Sequence, residues 1–168
     1  MITRSAFAAL LLATPGMAQE SPTLPAPEQQ VLTGVDRFFD ALKSKDRTRL
    51  AREMIPEGMI FIHNRMDPDD PRTDVVAVSD HLERWAGGTG EVAEYMEYET
   101  VLIDGDMAQV WGPYTFFANR KISHCGVNSL SMVRTDDGWK VANTSFSMVP
   151  PSECESIGAP YTPEDIVE

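Results

Sequence analysis

The sequence predicts an α+β fold in which helices cover one face of an antiparallel sheet. Three observations lead there. Helical periodicity is confined to the first half, strand-like runs follow from Val92 onward, and turn chemistry separates each of those runs from the next. The chain has 168 residues, 42% of them hydrophobic. That length and composition suit one globular domain with a single core.

Val31, Val35, Phe38, Phe39 and Leu42 fall at helical spacing with Asp36, Arg37, Asp40 and Lys43 opposite, which predicts an amphipathic helix over Glu28 to Lys43. Asp46 then caps a short second helix carrying Leu50 and Met54, which Pro56-Glu57-Gly58 ends. Met59 to Asn64 reads as a short strand, and Met66 to Thr73, with two prolines and three aspartates, as an exposed loop. A third helix is expected from about Asp74, with Val75, Val78, Leu82 and Trp85 as its buried stripe and Gly87-Gly88 as its stop. Four strands follow: Tyr95 to Ile103, Met107 to Ala118, Lys121 to Thr135 and Trp139 to Met148. Asp104-Gly105-Asp106, Asn119-Arg120 and Asp136-Asp137-Gly138 join them as hairpins.

At the N-terminus, Arg4 precedes the uninterrupted apolar run Ala6 to Ala13, and Pro15-Gly16-Met17-Ala18 supplies small residues for cleavage. This pattern predicts a secretory signal peptide over residues 1–18, a flexible Pro-rich lead-in over 19–27, and an exported protein, periplasmic or secreted. The apolar run is far shorter than the roughly 20 residues that span a bilayer, so no membrane anchor is expected. Formal charge is −12, which argues against nucleic acid and other polyanionic partners. The acidic surplus lies in Asp67 to Asp74, Glu91 to Glu99 and the tail, as a solvated surface would have it.

Cys125 and Cys154 are the two cysteines, and an oxidising compartment makes a disulfide their natural pairing, tying the tail over 150–168 to the sheet. Closing about 28 residues contributes on the order of 3 kcal/mol on the chain-entropy argument. A reactive Cys125 is disfavoured, because His124 beside it points to the opposite strand face.

Polar groups on a buried sheet face call for a ligand or an internal network. On the strand Lys121 to Thr135, His124, Gly126, Asn128, Leu130 and Met132 share the parity that reads as interior, while Ser123, Ser129 and Ser131 share the other. Tyr114 on the neighbouring strand joins His124 and Asn128 as candidate catalytic residues, with imidazole as general acid or base. Val110, Phe116, Leu130, Asn143, Trp85 and His63 are assigned to the wall of the same pocket. Metal is not expected, since His63, His81 and His124 lack ligand spacing and His81 reads as a helix-surface residue. No cofactor is expected either, because Gly87-Gly88-Thr89-Gly90 follows a helix instead of opening one. Met107 to Ala118 is apolar on both parities, with Met107, Trp111 and Phe117 on the second. That doubled face predicts a homodimer.

The runs Val110-Trp111-Gly112-Pro113-Tyr114-Thr115-Phe116, Ser123-His124-Cys125-Gly126-Val127-Asn128-Ser129 and Asp136-Asp137-Gly138-Trp139-Lys140-Val141 resemble the C-terminal half of nuclear-transport-factor-2-like domains. That superfamily includes polyketide cyclases of the SnoaL type and ketosteroid isomerase. The resemblance implies a cone-shaped α+β barrel over residues 28–149, a curved antiparallel sheet closed by three N-terminal helices around a mostly apolar cavity, often in homodimers. It favours an exported pocket domain binding a small, largely apolar ligand. A cyclase or isomerase using His124, or a structural, partner-binding dimeric module, are the alternatives. No inward carboxylate of the isomerase kind is evident in the sequence.

Overall fold

A computed structural model describes residues 26–161. The expected signal peptide, most of the lead-in and the last residues of the tail lie outside the described residues. Among the described residues no helix is long and apolar enough to cross a membrane.

Helix α1 spans Pro27–Lys43, with Pro at its first turn and Val31, Val35, Phe38, Phe39 and Leu42 buried, the stripe expected from spacing. A 3-10 turn over Arg47–Arg49 follows, opened by Asp46, whose carboxylate accepts from the Thr48 backbone N–H and leads into α2, Leu50–Glu53. Strand β1 is Met59–Asn64.

The next segment corrects the expectation. Arg72–Ala77 is strand β2, an edge hairpin partner of β1, and α3 begins only at Val78, ending at Ala86. Thr73, Val75 and Val76 are β-branched residues that pair well along β1, and that ladder outweighs the helical spacing read there. Val75 is therefore exposed on β2, while Val78 is buried and Leu82 and Trp85 pack against the core.

The expected strand Tyr95 to Ile103 is two: β3, Val92–Met96, and β4, Thr100–Asp104, both antiparallel to β5, Met107–Ala118. Pro113 on β5 has no N–H to give, and the opposing chain bulges over Glu97–Glu99, held by Glu97 N–H to Pro113 O at 2.9 Å and Glu99 N–H to Trp111 O at 3.1 Å. Gly112 gives the room, since a Cβ there would collide with the Glu97 carbonyl oxygen. The Asn119-Arg120 turn, both residues at positive φ, leads into β6, Lys121–Thr135, which pairs with β7, Gly138–Met148.

The sheet runs β2-β1-β7-β6-β5-β3, with β4 beside β5 on the same edge as β3. It is mixed, because β1 lies parallel to β7, and it is not closed on itself. This is a cone-shaped α+β fold with α1 and α3 over the concave face and the core between. Cys125 and Cys154 form the disulfide, Cα atoms 5.5 Å apart. The tail it holds runs back along β5: Thr115 exchanges hydrogen bonds with the Tyr161 backbone, and the Tyr161 ring meets Tyr95 and Phe117. Part of the second apolar face is thus covered by the chain itself. Trp111, Met107 and Leu102 stay exposed beyond it.

Candidate functional site

Beneath α1 and α3 the concave face leaves a cavity of about 240 Å³, walled chiefly by Phe38, Leu42, Ile60, Phe116, Leu130 and Phe146. His124, Asn128, Tyr114 and Glu94 bring polar groups to it from the sheet, and His81, Arg84 and Trp85 from α3.

Cross-strand register sets the first group. Glu94 on β3 stands opposite Phe116 on β5, and Phe116 opposite His124 on β6. A bulge leaves Ser123 without a partner between Ile122 and His124, and bulges re-aim the neighbouring side chain. The imidazole stacks on Phe116 at 4.9 Å, meets Tyr114 edge-on at 5.8 Å, and has Ser123 Oγ 3.2 Å from Nδ1. Burial pushes its pKa down to about 4, so the ring is neutral at physiological pH.

Glu94 is the residue that the sequence did not reveal. Asn128 Nδ2 donates to Glu94 Oε1 at 2.7 Å. Burial pushes the Glu94 pKa up to about 7, against the pull of the Asn128 hydrogen bond toward the ionised form. The residue retains some accessible surface because it borders both the cavity and an outer groove lined by Asp36, Asp40 and Tyr98. The carboxyl itself is packed as densely as an interior group, and that surrounding sets its proton affinity. Its signal in the sequence is parity: Val92, Glu94 and Met96 alternate onto one face, and a glutamate between two apolar residues of that face is an inward carboxyl.

Tyr114 lies almost fully buried, and its hydroxyl donates to the Ser147 carbonyl at 2.8 Å. Its pKa is raised, first by burial and then by the nearby Glu94 charge. The ring passes over Gly126, where a Cβ would come within 2.7 Å of Tyr114 Cε1. With its proton committed to the main chain, Tyr114 is a wall of the site more than a free donor.

His124, Tyr114, Asn128, Trp85, Phe116 and Leu130 therefore line one cavity. Val110 is buried in the core beyond it. His63 and Asn143 do not reach it. His63 is exposed on the opposite face of β1, opposite Thr73 and Ser147, while its neighbour Ile62 points inward. A bulge at Ala142 shifts the parity of β7, so Val141 and Thr144 are buried and Asn143 faces outward, its Oδ1 accepting from the Met59 N–H at 2.8 Å. His81, read as a surface residue, is another correction: it is half-buried at the cavity, its ring 5.6 Å from Trp85, and burial followed by the Arg84 charge lowers its pKa. Among the described residues no group of three His, Cys, Asp or Glu side chains converges to hold a metal.

No protein-family model matches the chain, and no curated protein matches it. Solved structures do. A proposed dehydratase of the nuclear-transport-factor-2-like family from Streptomyces avermitilis is 20% identical, covering 73% of this chain and 95% of that one, at a TM-score of 0.58. The beta subunit of a proposed aromatic-ring-hydroxylating dioxygenase from Novosphingobium aromaticivorans is 9% identical, over 73% and 88%, at 0.59. A protein with a cystatin-like fold from the same organism is 14% identical, over 72% and 81%, at 0.54. Identities this low speak to architecture, and the architecture is unambiguous: this chain has the nuclear-transport-factor-2-like fold.

Proposed function

We propose that this is an exported pocket domain that binds a small, largely apolar molecule between the concave sheet face and helices α1 and α3. The observation that carries the reading is the cavity itself: about 240 Å³, walled by aromatic and aliphatic side chains, with Glu94, Asn128 and His124 converging on it. Such a wall with few polar groups is what small-molecule sites share. The volume lies below the roughly 300–1,000 Å³ of drug-sized sites, which favours a single-ring occupant over a steroid. Export is supported by the disulfide and by the Ala6 to Ala13 run. Exposed Trp111, Met107 and Leu102 support a homodimer through the outer sheet face.

Calorimetric titration with benzyl alcohol and cyclohexanone tests the binding reading. One site per chain is expected, and Thr144→Phe, which fills the cavity, removes the signal. A signal indifferent to that substitution rejects the reading.

A second reading has its own observation. A carboxyl with a pKa of about 7 in an apolar cavity is matched to proton transfer near neutral pH. On that reading Glu94 is the acid or base of an isomerase or lyase, in keeping with the dehydratase name of one fold neighbour. His124, neutral at that pH, serves as a hydrogen-bond partner instead of the proton carrier. Conversion of cyclohex-3-enone to its conjugated isomer, followed by absorbance, tests it: Glu94→Gln lowers the rate at least a hundredfold, and an unchanged rate removes the reading.

A further inference from the structure

The cavity is lined by one carboxyl, Glu94 from β3, and one guanidinium, Arg84 from α3, and no ion pair joins them. Arg84 is exposed, and among the described residues its guanidinium has neither an ion-pair nor a hydrogen-bond partner. Its neighbour Arg47 is different. Arg47 lies 4.7 Å over the Trp85 ring but spends its N–H groups on the carbonyls of Leu42, at 3.2 Å, and Gly90, at 2.6 Å. The second orphan is Trp85 itself. Its indole Nε1 is buried and has no hydrogen-bond partner among the described residues, although a buried N–H ordinarily finds an acceptor. Arg84 and Trp85, consecutive residues of one helix, thus both line the apolar cavity and bring to it a guanidinium and a buried indole N–H without partners among the described residues, beside the His81 imidazole, which burial biases toward its neutral form.

We infer that Arg84 and Trp85 form a carboxylate-binding mouth, and that the ligand is a small aromatic or alicyclic monocarboxylic acid whose ring fills the cavity. This deepens the pocket reading above and rests on it. The donor set fits that class. A guanidinium presents two parallel N–H groups that match a planar carboxylate, and the indole N–H adds a third donor. One unpaired cation balances one negative charge, which favours a monoanion over a phosphate dianion. The ring then lies against Phe116, Leu130 and Phe146, and its far edge reaches toward Glu94 and Asn128. Because the chain as a whole is strongly acidic, its long-range field opposes anions. Selectivity for an acid must therefore come from these local donors.

The test compares three single-ring probes on the purified protein at pH 6, where Glu94 is protonated: benzoate, benzyl alcohol and benzylammonium, each titrated by calorimetry. Benzoate is expected to bind at least tenfold more tightly than benzyl alcohol, and benzylammonium more weakly than either. In Arg84→Gln the benzoate to benzyl alcohol preference falls to about one, and Arg84→Lys retains part of it. Trp85→Phe, which keeps a ring and deletes the donor, weakens benzoate several-fold. Equal affinities for benzoate and benzyl alcohol in the unaltered protein overturn the inference while leaving the pocket reading intact, as does a preference that survives Arg84→Gln. Binding of none of the three probes overturns both.

Discussion

Asn128 on β6 donates through Nδ2 to Glu94 Oε1 on β3 at 2.7 Å, across the intervening strand β5. This bond stabilises the ionised carboxylate, while burial destabilises it more. Replacing Asn128 by Leu removes the stabilising partner and leaves the burial. The Glu94 pKa is expected to climb further above about 7, measured from its side-chain carbonyl resonance by NMR. An unmoved titration would mean that the hydrogen bond does not form in solution.

The two perturbed groups of the cavity pull stability in opposite directions with pH. Glu94 holds a proton in the folded protein up to about pH 7 but releases it near 4.5 when unfolded. Folding therefore weakens as pH rises through that window. His124 is the reverse. Folded, it binds a proton only near pH 4, against 6.5 unfolded, so folding strengthens as pH rises from 4 to 6.5. Across the overlap the two slopes offset each other. A tenfold change in proton affinity between the folded and unfolded chain corresponds to about 1.4 kcal/mol. Relative to the unaltered protein, Glu94→Gln gains stability toward pH 7 and His124→Phe gains it toward pH 4, both read from urea midpoints.

Tyr114 and Gly126 are packed as one device. Tyr114→Phe loses the hydrogen bond to the Ser147 carbonyl, at a cost of about 1 kcal/mol. Gly126→Ala forces a Cβ into the Ser147 carbonyl oxygen and the Tyr114 ring. It is expected to cost more than the tyrosine change, by roughly 1–3 kcal/mol for overpacking or beyond. Thermal melts of the two variants rank them.

The α+β class, the buried stripe of α1, the hairpin turns and the inward parity of His124, Asn128 and Leu130 are legible in residue spacing, because period and turn chemistry are local. What is not legible depends on partners distant in sequence. Asp74 to Ala77 looks helical until β1 offers it a ladder, and the break at Glu97–Glu99 depends on Pro113 across the sheet. Simple alternation misplaces Asn143 because the bulge at Ala142 shifts the parity of β7. Glu94 escapes notice when the strand is begun at Tyr95, one residue too late to show that carboxyl alternating inward with Val92 and Met96.

The disulfide fixes a tail that would otherwise leave Tyr95 and Phe117 uncovered. Cys154→Ser opens a link spanning 29 residues and is expected to cost about 3 kcal/mol. The same variant should release the Tyr161 ring from Tyr95 and Phe117, visible as a loss of near-ultraviolet dichroism.

The central claim is that the concave face encloses a space that a small ring enters. Crystals soaked in 4-bromobenzyl alcohol test it most directly. Anomalous density for bromine should appear between Phe116, Leu130 and Phe146. Side chains closing that space, or bromine found only on the outer surface, would contradict the account.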